Sequence, residues 1–260
     1  MNWEKELEVA IKAGLKAKEA ILEIYHQPFD VEIKEDNSPV TLADKTADKI
    51  IREVIHEAFP SHAFLTEESD DDKNRLNNDY VWIVDPVDGT KDFVAHDDGF
   101  TTNIALAYKH ELVVGVVLIP ATGEIYYASK GNGSFYRPAS GKDERIHVND
   151  KVEDLTCLTS VFHFNDKELA LIEKHKDKIK HVEKVGSSIK ACWIAHGKAE
   201  LTYRMSAGTK EWDTAACQIV VEEAGGLFLE PDGARITYNR VDVYNRKGYI
   251  VTNRKENILL

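Results

Sequence analysis

Apolar residues recur at three- and four-residue steps through Trp3, Leu7, Ala10, Ile11, Gly14, Ala17, Ile21 and Ile24, which predicts an amphipathic first helix. A short extended segment follows Pro28. In Thr41-Leu42-Ala43-Asp44, a threonine with an acid three residues on has the form of a helix N-cap. The helix behind it carries Ala47, Ile50, Ile51, Val54, Ile55 and Ala58 on one face, and Pro60 stops it. Ala63 to Thr66 reads as a brief strand running into Glu67-Glu68-Ser69, and the polar, acidic residues 70–79 read as a mobile loop. Tyr80 to Val84 is a buried strand, with a stiff turn expected at its end.

Strand-like runs at Phe100–Tyr108, Leu112–Ile119 and Ile125–Ala128, with turn signals at 121–124 and 131–134, predict an antiparallel meander. From about residue 155 the pattern alternates. Strand Leu155–Val161, helix Asp166–Lys178 and strand His181–Val185 precede Gly186-Ser187-Ser188, which opens a helix to Ala195. Strand Ala199–Arg204, an apolar helix from Glu211 to Ala224, and strands Leu227–Leu229 and Tyr249–Thr252 complete the reading. It divides the chain into an α+β half, residues 1–150, and an α/β half, residues 151–260, packed as one compact unit.

Composition narrows the classes. At 260 residues the chain can bury a large core, and 43 % hydrophobic with 30 % charged residues describes an ordinary soluble protein. No apolar run reaches the length of a membrane span, and the acidic N-terminal residues do not form a signal peptide. A net charge of −12 with no basic patch argues against a nucleic-acid polymer as partner. It leaves room for a small phosphorylated substrate whose charge is met by divalent cations. Cys157, Cys192 and Cys217 are widely spaced and read as free thiols, which places the protein in a reducing compartment, the cytoplasm. The ten histidines show no metal-ligand spacing.

The chemistry concentrates in Asp85-Pro86-Val87-Asp88-Gly89-Thr90. Pro86 stiffens the chain, and Gly89 lets it bend so that the Gly89 and Thr90 amides can meet an anion. Asp85 and Asp88, with the Val87 carbonyl, form an all-oxygen set suited to Mg²⁺. A surface turn uses the same residue types. Covalent aspartyl-phosphate chemistry needs a carboxylate two residues before Asp88, where this chain has Pro86. Taken singly, Asp44 is a capping acid, Glu67-Glu68 a solvated pair, and Asp213 an acid favoured by a helix N-terminus.

Together these pieces resemble one family. D-P-V-D-G-T-K-D-F and W-D-T-A-A are similar to the two signatures of the lithium-sensitive, magnesium-dependent inositol monophosphatase superfamily. T-L-A-D at 41–44 and T-E-E-S at 66–69 precede them in the family's order. The resemblance implies a layered αβαβα sandwich and phosphate-ester hydrolysis without a phosphoenzyme. It also implies two or three Mg²⁺ held by Glu67, Asp85, Asp88, Asp213 and the Val87 carbonyl. Asp44 and Thr90, with Glu67 assisting, would orient and deprotonate the attacking water, and the Gly89 and Thr90 amides would hold the phosphoryl oxygens. Four acids converging from distant positions would repel one another without cations.

Details beyond the shared core resemble the CysQ-type 3'(2'),5'-bisphosphate nucleotidase branch. Lys91-Asp92-Phe93 is similar to that branch's K-E-F, Phe100–Leu106 to its F-T-V-N-I-A-L, and Gly186–Lys190 to its G-S-S-x-K. A bisphosphate carries a second phosphate that is not cleaved, and Ser187, Ser188, Lys190 and Arg204 are its expected donors. The expected reaction is removal of the 3'-phosphate from 3'-phosphoadenosine 5'-phosphate. Inositol-1-phosphate or histidinol-phosphate phosphatase is the alternative. A metal-dependent phosphate-ligand binder without turnover would lack a catalytic ligand, and none is missing here. Both a monomer and a homodimer fit.

Overall fold

The computed structural model of the protein describes residues 2–33 and 39–260. Helix α1 (Glu4–Tyr25) buries Ala10, Ala13, Gly14, Ala17, Ile21 and Tyr25 in one stripe. An antiparallel ribbon, β1 (Val31–Ile33) with β2 (Pro39–Thr41), leads into α2 (Leu42–Ala58). Thr41 caps α2: its hydroxyl oxygen accepts from the Ala43 N–H, and its own N–H donates to Asp44. Next come β3 (Ala63–Thr66), β4 (Tyr80–Asp88), the short α3 (Thr90–Ala95), β5 (Thr101–Tyr108), β6 (Glu111–Ile119), β7 (Glu124–Ser129), β8 (Gly133–Arg137) and β9 (Glu144–Ile146). Strands β3 to β9 form a seven-stranded sheet in chain order, β3 parallel to β4 and every other pair antiparallel.

The rest of the chain gives β10 (Leu155–Thr159), α4 (Asp166–Lys174), β11 (Ile179–Lys184), α5 (Ile189–Ala195), β12 (Leu201–Arg204), α6 (Glu211–Glu223), β13 (Leu227–Leu229) and β14 (Tyr249–Thr252). Its sheet runs β11-β10-β12-β14-β13, parallel across β11, β10 and β12 and antiparallel at β14.

Side-chain alternation stacks these elements into five layers. Trp82, Val84, Ile104 and Leu106 face Ala13, Ile21, Ile51 and Ile55 of α1 and α2. Val81, Ile83, Ala105 and Ala107 face the opposite way, onto α5 and α6, which meet Leu158, Phe228 and Val251 of the second sheet on their far side. Cys157, Leu201 and Ile250 point outward against Ile172 of α4. The architecture is the αβαβα sandwich that the motifs imply. Helix α6 lies between two sheets and is accordingly buried nearly all round, from Thr214 to Val221. Gly115 is the residue that lets it lie so close. A Cβ there would sit 2.4 Å from Ile219 Cγ2 and 2.5 Å from the Ala216 carbonyl oxygen.

Residues 70–79 depart from the mobile loop expected of them. They form a 3-10 turn (Lys73–Asn77) capped by the Asp72 side chain, and Arg75 within it is 1 % exposed. Besides Asp71 nearby, its partners Asn239 and Arg240 lie in the C-terminal half, out of reach of any local reading. Helix α4 also ends four residues early, because Ile179 pairs with Leu155 and so belongs to the sheet. Cys157, Cys192 and Cys217 are free and buried. Among the described residues no helix is long and apolar enough to cross a membrane.

Candidate active site

Strand β4 does not stop at Val84. It continues to Asp88 with a bulge: Asp85 pairs with Asn103 and Asp88 with Thr101, so Pro86 and Val87 together oppose Thr102. Residues three apart on a regular strand point to opposite faces. The extra residue brings Asp85 and Asp88 onto the same face. A bulge is also one of the few places where a sheet accepts a proline. The Thr102 hydroxyl donates to the Pro86 carbonyl at 2.8 Å and pins the distortion.

Asp85 is 1 % exposed and faces the interior between the sheets. Glu67 arrives from the end of β3, its N–H donating to the Val84 carbonyl at 3.2 Å. Asp213 arrives from the first turn of α6. One carboxylate oxygen from each of Glu67, Asp85 and Asp213 lies within 4.8 Å of the others. Burial, followed by repulsion from Glu67, Asp88, Asp213 and Asp44, drives the Asp85 carboxyl far above the ordinary range. Asp213 is raised for the same reasons, with Asp88 and Glu67 as its main repelling neighbours. Asp85 Oδ1 is buried without a hydrogen-bond partner. A buried acid with an orphaned oxygen, grouped with two more carboxylates, is a donor set that fits a hard divalent cation.

Asp88 stands at the edge of this trio with one oxygen already engaged. Its Oδ2 accepts from the Ser188 amide at 2.9 Å, the Ser188 hydroxyl at 3.1 Å, and Asn103 Nδ2 and Thr101 Oγ1 at 3.3 Å each. The Ser187 hydroxyl donates to the Asp88 carbonyl at 2.7 Å. The sequence reading has Ser187 and Ser188 face a second phosphate; in the structure they hold the Asp88 loop. Gly89 (φ +92°) makes this approach possible, since a Cβ would lie 2.2 Å from Ser187 Oγ.

Asp44 closes the helix cap with one oxygen and turns the other toward Thr90. Its Oδ2 accepts from the Thr41 amide at 2.8 Å and the Thr41 hydroxyl at 2.7 Å, which is the cap. Its Oδ1 lies 3.3 Å from the Thr90 hydroxyl, which is also 3.3 Å from the Val87 carbonyl oxygen. Burial raises the Asp44 carboxyl above its usual value, the Thr41 bonds oppose the shift, and Glu67 adds to it.

A cavity of about 370 Å³ joins Glu67, Asp85, Asp88, Thr90 and Asp213 to Gly89, Lys91, Ser160, His163, Lys190, Arg204 and Trp212. Lys190 donates to the carbonyls of Ser187 at 2.7 Å and Val185 at 3.1 Å, so it secures the loop before α5. Arg204 donates to the His163 carbonyl at 2.7 Å. Sequence reasoning missed Ser160 and His163, which sit in a stretch with no motif of its own. Burial, with Arg204, Lys91 and Lys190 nearby, pushes the His163 imidazole down to about 4. This part of the cavity is therefore cationic without help from His163.

The chain matches the inositol monophosphatase family over residues 2–259. It is 31 % identical, over 95 % of its length and 99 % of the relative's, to the 3'(2'),5'-bisphosphate nucleotidase CysQ of Salmonella typhimurium. It is 33 % identical, over 87 % of its length and 85 % of the relative's, to the Nus factor SuhB of Pasteurella multocida. The crystal structure of CysQ from Bacteroides thetaiotaomicron superposes with a TM-score of 0.85 at 34 % identity, covering 96 % of this chain and 98 % of that one.

Proposed function

This chain belongs to the inositol monophosphatase family, and from that premise we propose that it is a Mg²⁺-dependent phosphatase acting on 3'-phosphoadenosine 5'-phosphate. The products are AMP and phosphate. The observation that carries the metal reading is the buried Asp85, one oxygen of it without a hydrogen-bond partner, grouped with Glu67 and Asp213. Glu67, Asp85, Asp88, Asp213 and the Val87 carbonyl would hold two or three Mg²⁺. The cations would supply charge neutralisation for the acids and the phosphoryl group and make water more acidic.

The chain's own residues do the rest. The Thr90 hydroxyl donates to Asp44 Oδ1, which leaves its oxygen lone pairs to accept from the attacking water and aim it. The water's proton passes through Thr90 to Asp44, whose raised proton affinity suits it to receive one. Glu67, held by its backbone bond to Val84, assists from the same face. The first-turn amides at Gly89 and Thr90 meet the phosphoryl oxygens, as unpaired helix N–H groups do. Ser187 and Ser188 hold Asp88 in place and so act behind the substrate.

The nucleotide reading is supported by the CysQ relatives and by the cationic part of the cavity. There Lys91 and Arg204, with whatever Lys190 can offer beyond its two carbonyl bonds, would receive the phosphate that is not cleaved. One observation favours a monophosphate such as inositol 1-phosphate or histidinol phosphate. The serines expected to read a second phosphate already have Asp88 as partner. The test is phosphate release from all three compounds with Mg²⁺ and with EDTA. A kcat/KM at least about tenfold higher on the nucleotide, roughly 1.4 kcal/mol, is expected. Preference for a monophosphate would replace the substrate, and no Mg²⁺-dependent release would end the catalytic reading.

A further inference from the structure

Arg75 is an arginine with almost no surface, set in a turn that its sequence marks as polar loop. Its guanidinium is fully engaged on two sides. Nε and Nη2 donate to the two oxygens of Asp71 at 2.6 and 2.9 Å. Nη1 donates to Asn239 Oδ1 at 2.7 Å and Nη2 to the Arg240 carbonyl at 2.9 Å, while Asn239 Nδ2 returns a bond to the Arg75 carbonyl at 3.1 Å. Asn239 adopts φ +57°, the left-handed region that asparagine enters more readily than most side chains.

The network does not end there. The Asn239 and Arg240 amides donate to the two oxygens of Glu211, which is wholly buried, at 2.6 and 2.8 Å. The Arg240 side chain reaches Asn245 Oδ1 at 2.7 Å, and Asn245 Nδ2 donates to the Lys210 carbonyl at 2.9 Å. The Lys210 amide in turn donates to Asp213 Oδ2. An unbroken polar path therefore runs from Asp71, four residues beyond Glu67, to Asp213 itself. Glu67 and Asp213 come from different halves of the chain, and no β-ladder joins the segments that carry them.

We infer that Arg75 is a positioning residue for the metal site: through Asn239, Arg240 and Glu211 it fixes Asp213 relative to the segment that follows Glu67. The inference rests on the metal reading of the acid trio. A planar fork with two bidentate sides suits this task, and a lysine cannot reproduce it. An ordinary fold brace would also melt earlier when cut, so stability alone does not test the idea.

The experiment titrates Mg²⁺ into the substrate-free protein by calorimetry, for wild type, Arg75→Met, Arg75→Lys and Asp71→Asn, with thermal melts in EDTA alongside. Asp71 is partly exposed, so its variant stays folded even if Arg75→Met does not. Expected are about tenfold weaker Mg²⁺ binding in both Arg75 variants and a smaller loss, about two- to fivefold, in Asp71→Asn. Substrate KM at saturating Mg²⁺ should stay within about twofold. Wild-type uptake with unchanged binding in the folded variants, or full rescue by Arg75→Lys, overturns the inference alone. A wild-type chain that takes up no Mg²⁺ overturns the metal reading and the inference with it.

Discussion

Ser188 donates its backbone amide and offers its hydroxyl to the same oxygen, Oδ2 of Asp88, at 2.9 and 3.1 Å. The two residues are 100 positions apart, one at the end of the first sheet's β4 and the other at the start of α5. The same hydroxyl lies 3.2 Å from the Asp213 carbonyl and accepts from Asn103 Nδ2 at 2.9 Å. One small side chain thus ties three elements that carry the site.

Ser188→Ala should therefore raise the Mg²⁺ concentration needed for activity rather than impair substrate recognition. Loss of a residue that orients a metal ligand typically reduces metal affinity by about 10- to 100-fold. Mg²⁺ activation curves on a nucleotide bisphosphate and on a monophosphate should shift together. A KM effect confined to the bisphosphate would return the serine to the second phosphate.

Asp88→Asn and Asp213→Asn should each abolish turnover, by on the order of 10³-fold or more, with folded far-ultraviolet circular dichroism. Asn keeps an oxygen for the Lys210 amide and for Ser188 while removing the charge. Near-normal rates in both variants would sink the metal assignment.

At Asp44 the two roles can be separated. Asp44→Asn can still accept from Thr41 and should melt close to wild type yet turn over slowly. Asp44→Ala loses the cap as well and should be less stable by about 1 kcal/mol. Equal activity in wild type and Asp44→Asn would remove Asp44 from the chemistry.

Lys190→Met frees the carbonyls of Val185 and Ser187 in the loop that grips Asp88. Activity should fall in parallel on a bisphosphate and a monophosphate substrate. A selective rise in bisphosphate KM would instead show that the ammonium reads the second phosphate.

Asp92 supplies a pH test away from the acid trio. It is 5 % exposed, its Oδ1 has no partner, and burial with repulsion from Asp97 and Asp88 raises its carboxyl to about 7. The native state then holds this proton more tightly than the unfolded state, so Asp92 lowers stability progressively as pH rises from about 4 to about 7. Asp92→Asn lacks that dependence. It should be more stable than wild type by about 1–3 kcal/mol at pH 8, and the gap should close toward pH 4. Chemical denaturation across this range would refute the assignment if the gap stayed constant.

Much of this was legible in the chain. The α1 and α2 stripes, the Thr41 cap and the meander follow from local spacing, and the two signatures locate the acids. What escaped depends on partners far away in sequence. Nothing near Arg75 announces Asn239, 164 residues on, so a buried anchor looked like a mobile loop. Ser187 and Ser188 looked like phosphate donors because a helix start with hydroxyls suits an anion. Only the fold shows that the anion already there is Asp88. The bulge at Pro86 was hidden for a related reason, since its meaning lies in the pairing with Thr102.

Asp44 and Asp213 share one habit: each sits in the first turn of its helix and closes the cap with a single oxygen, leaving the other side of the carboxylate toward the site. A cap asks only for an acceptor, whereas catalysis asks for a charge. On the proposed mechanism, a descendant could therefore fall silent through one amide substitution at either position and keep its outline, its core and nearly all of its resemblance to working enzymes. Within this family, whole-chain similarity would not distinguish such a mute copy from an active one, and the identity of these two residues would.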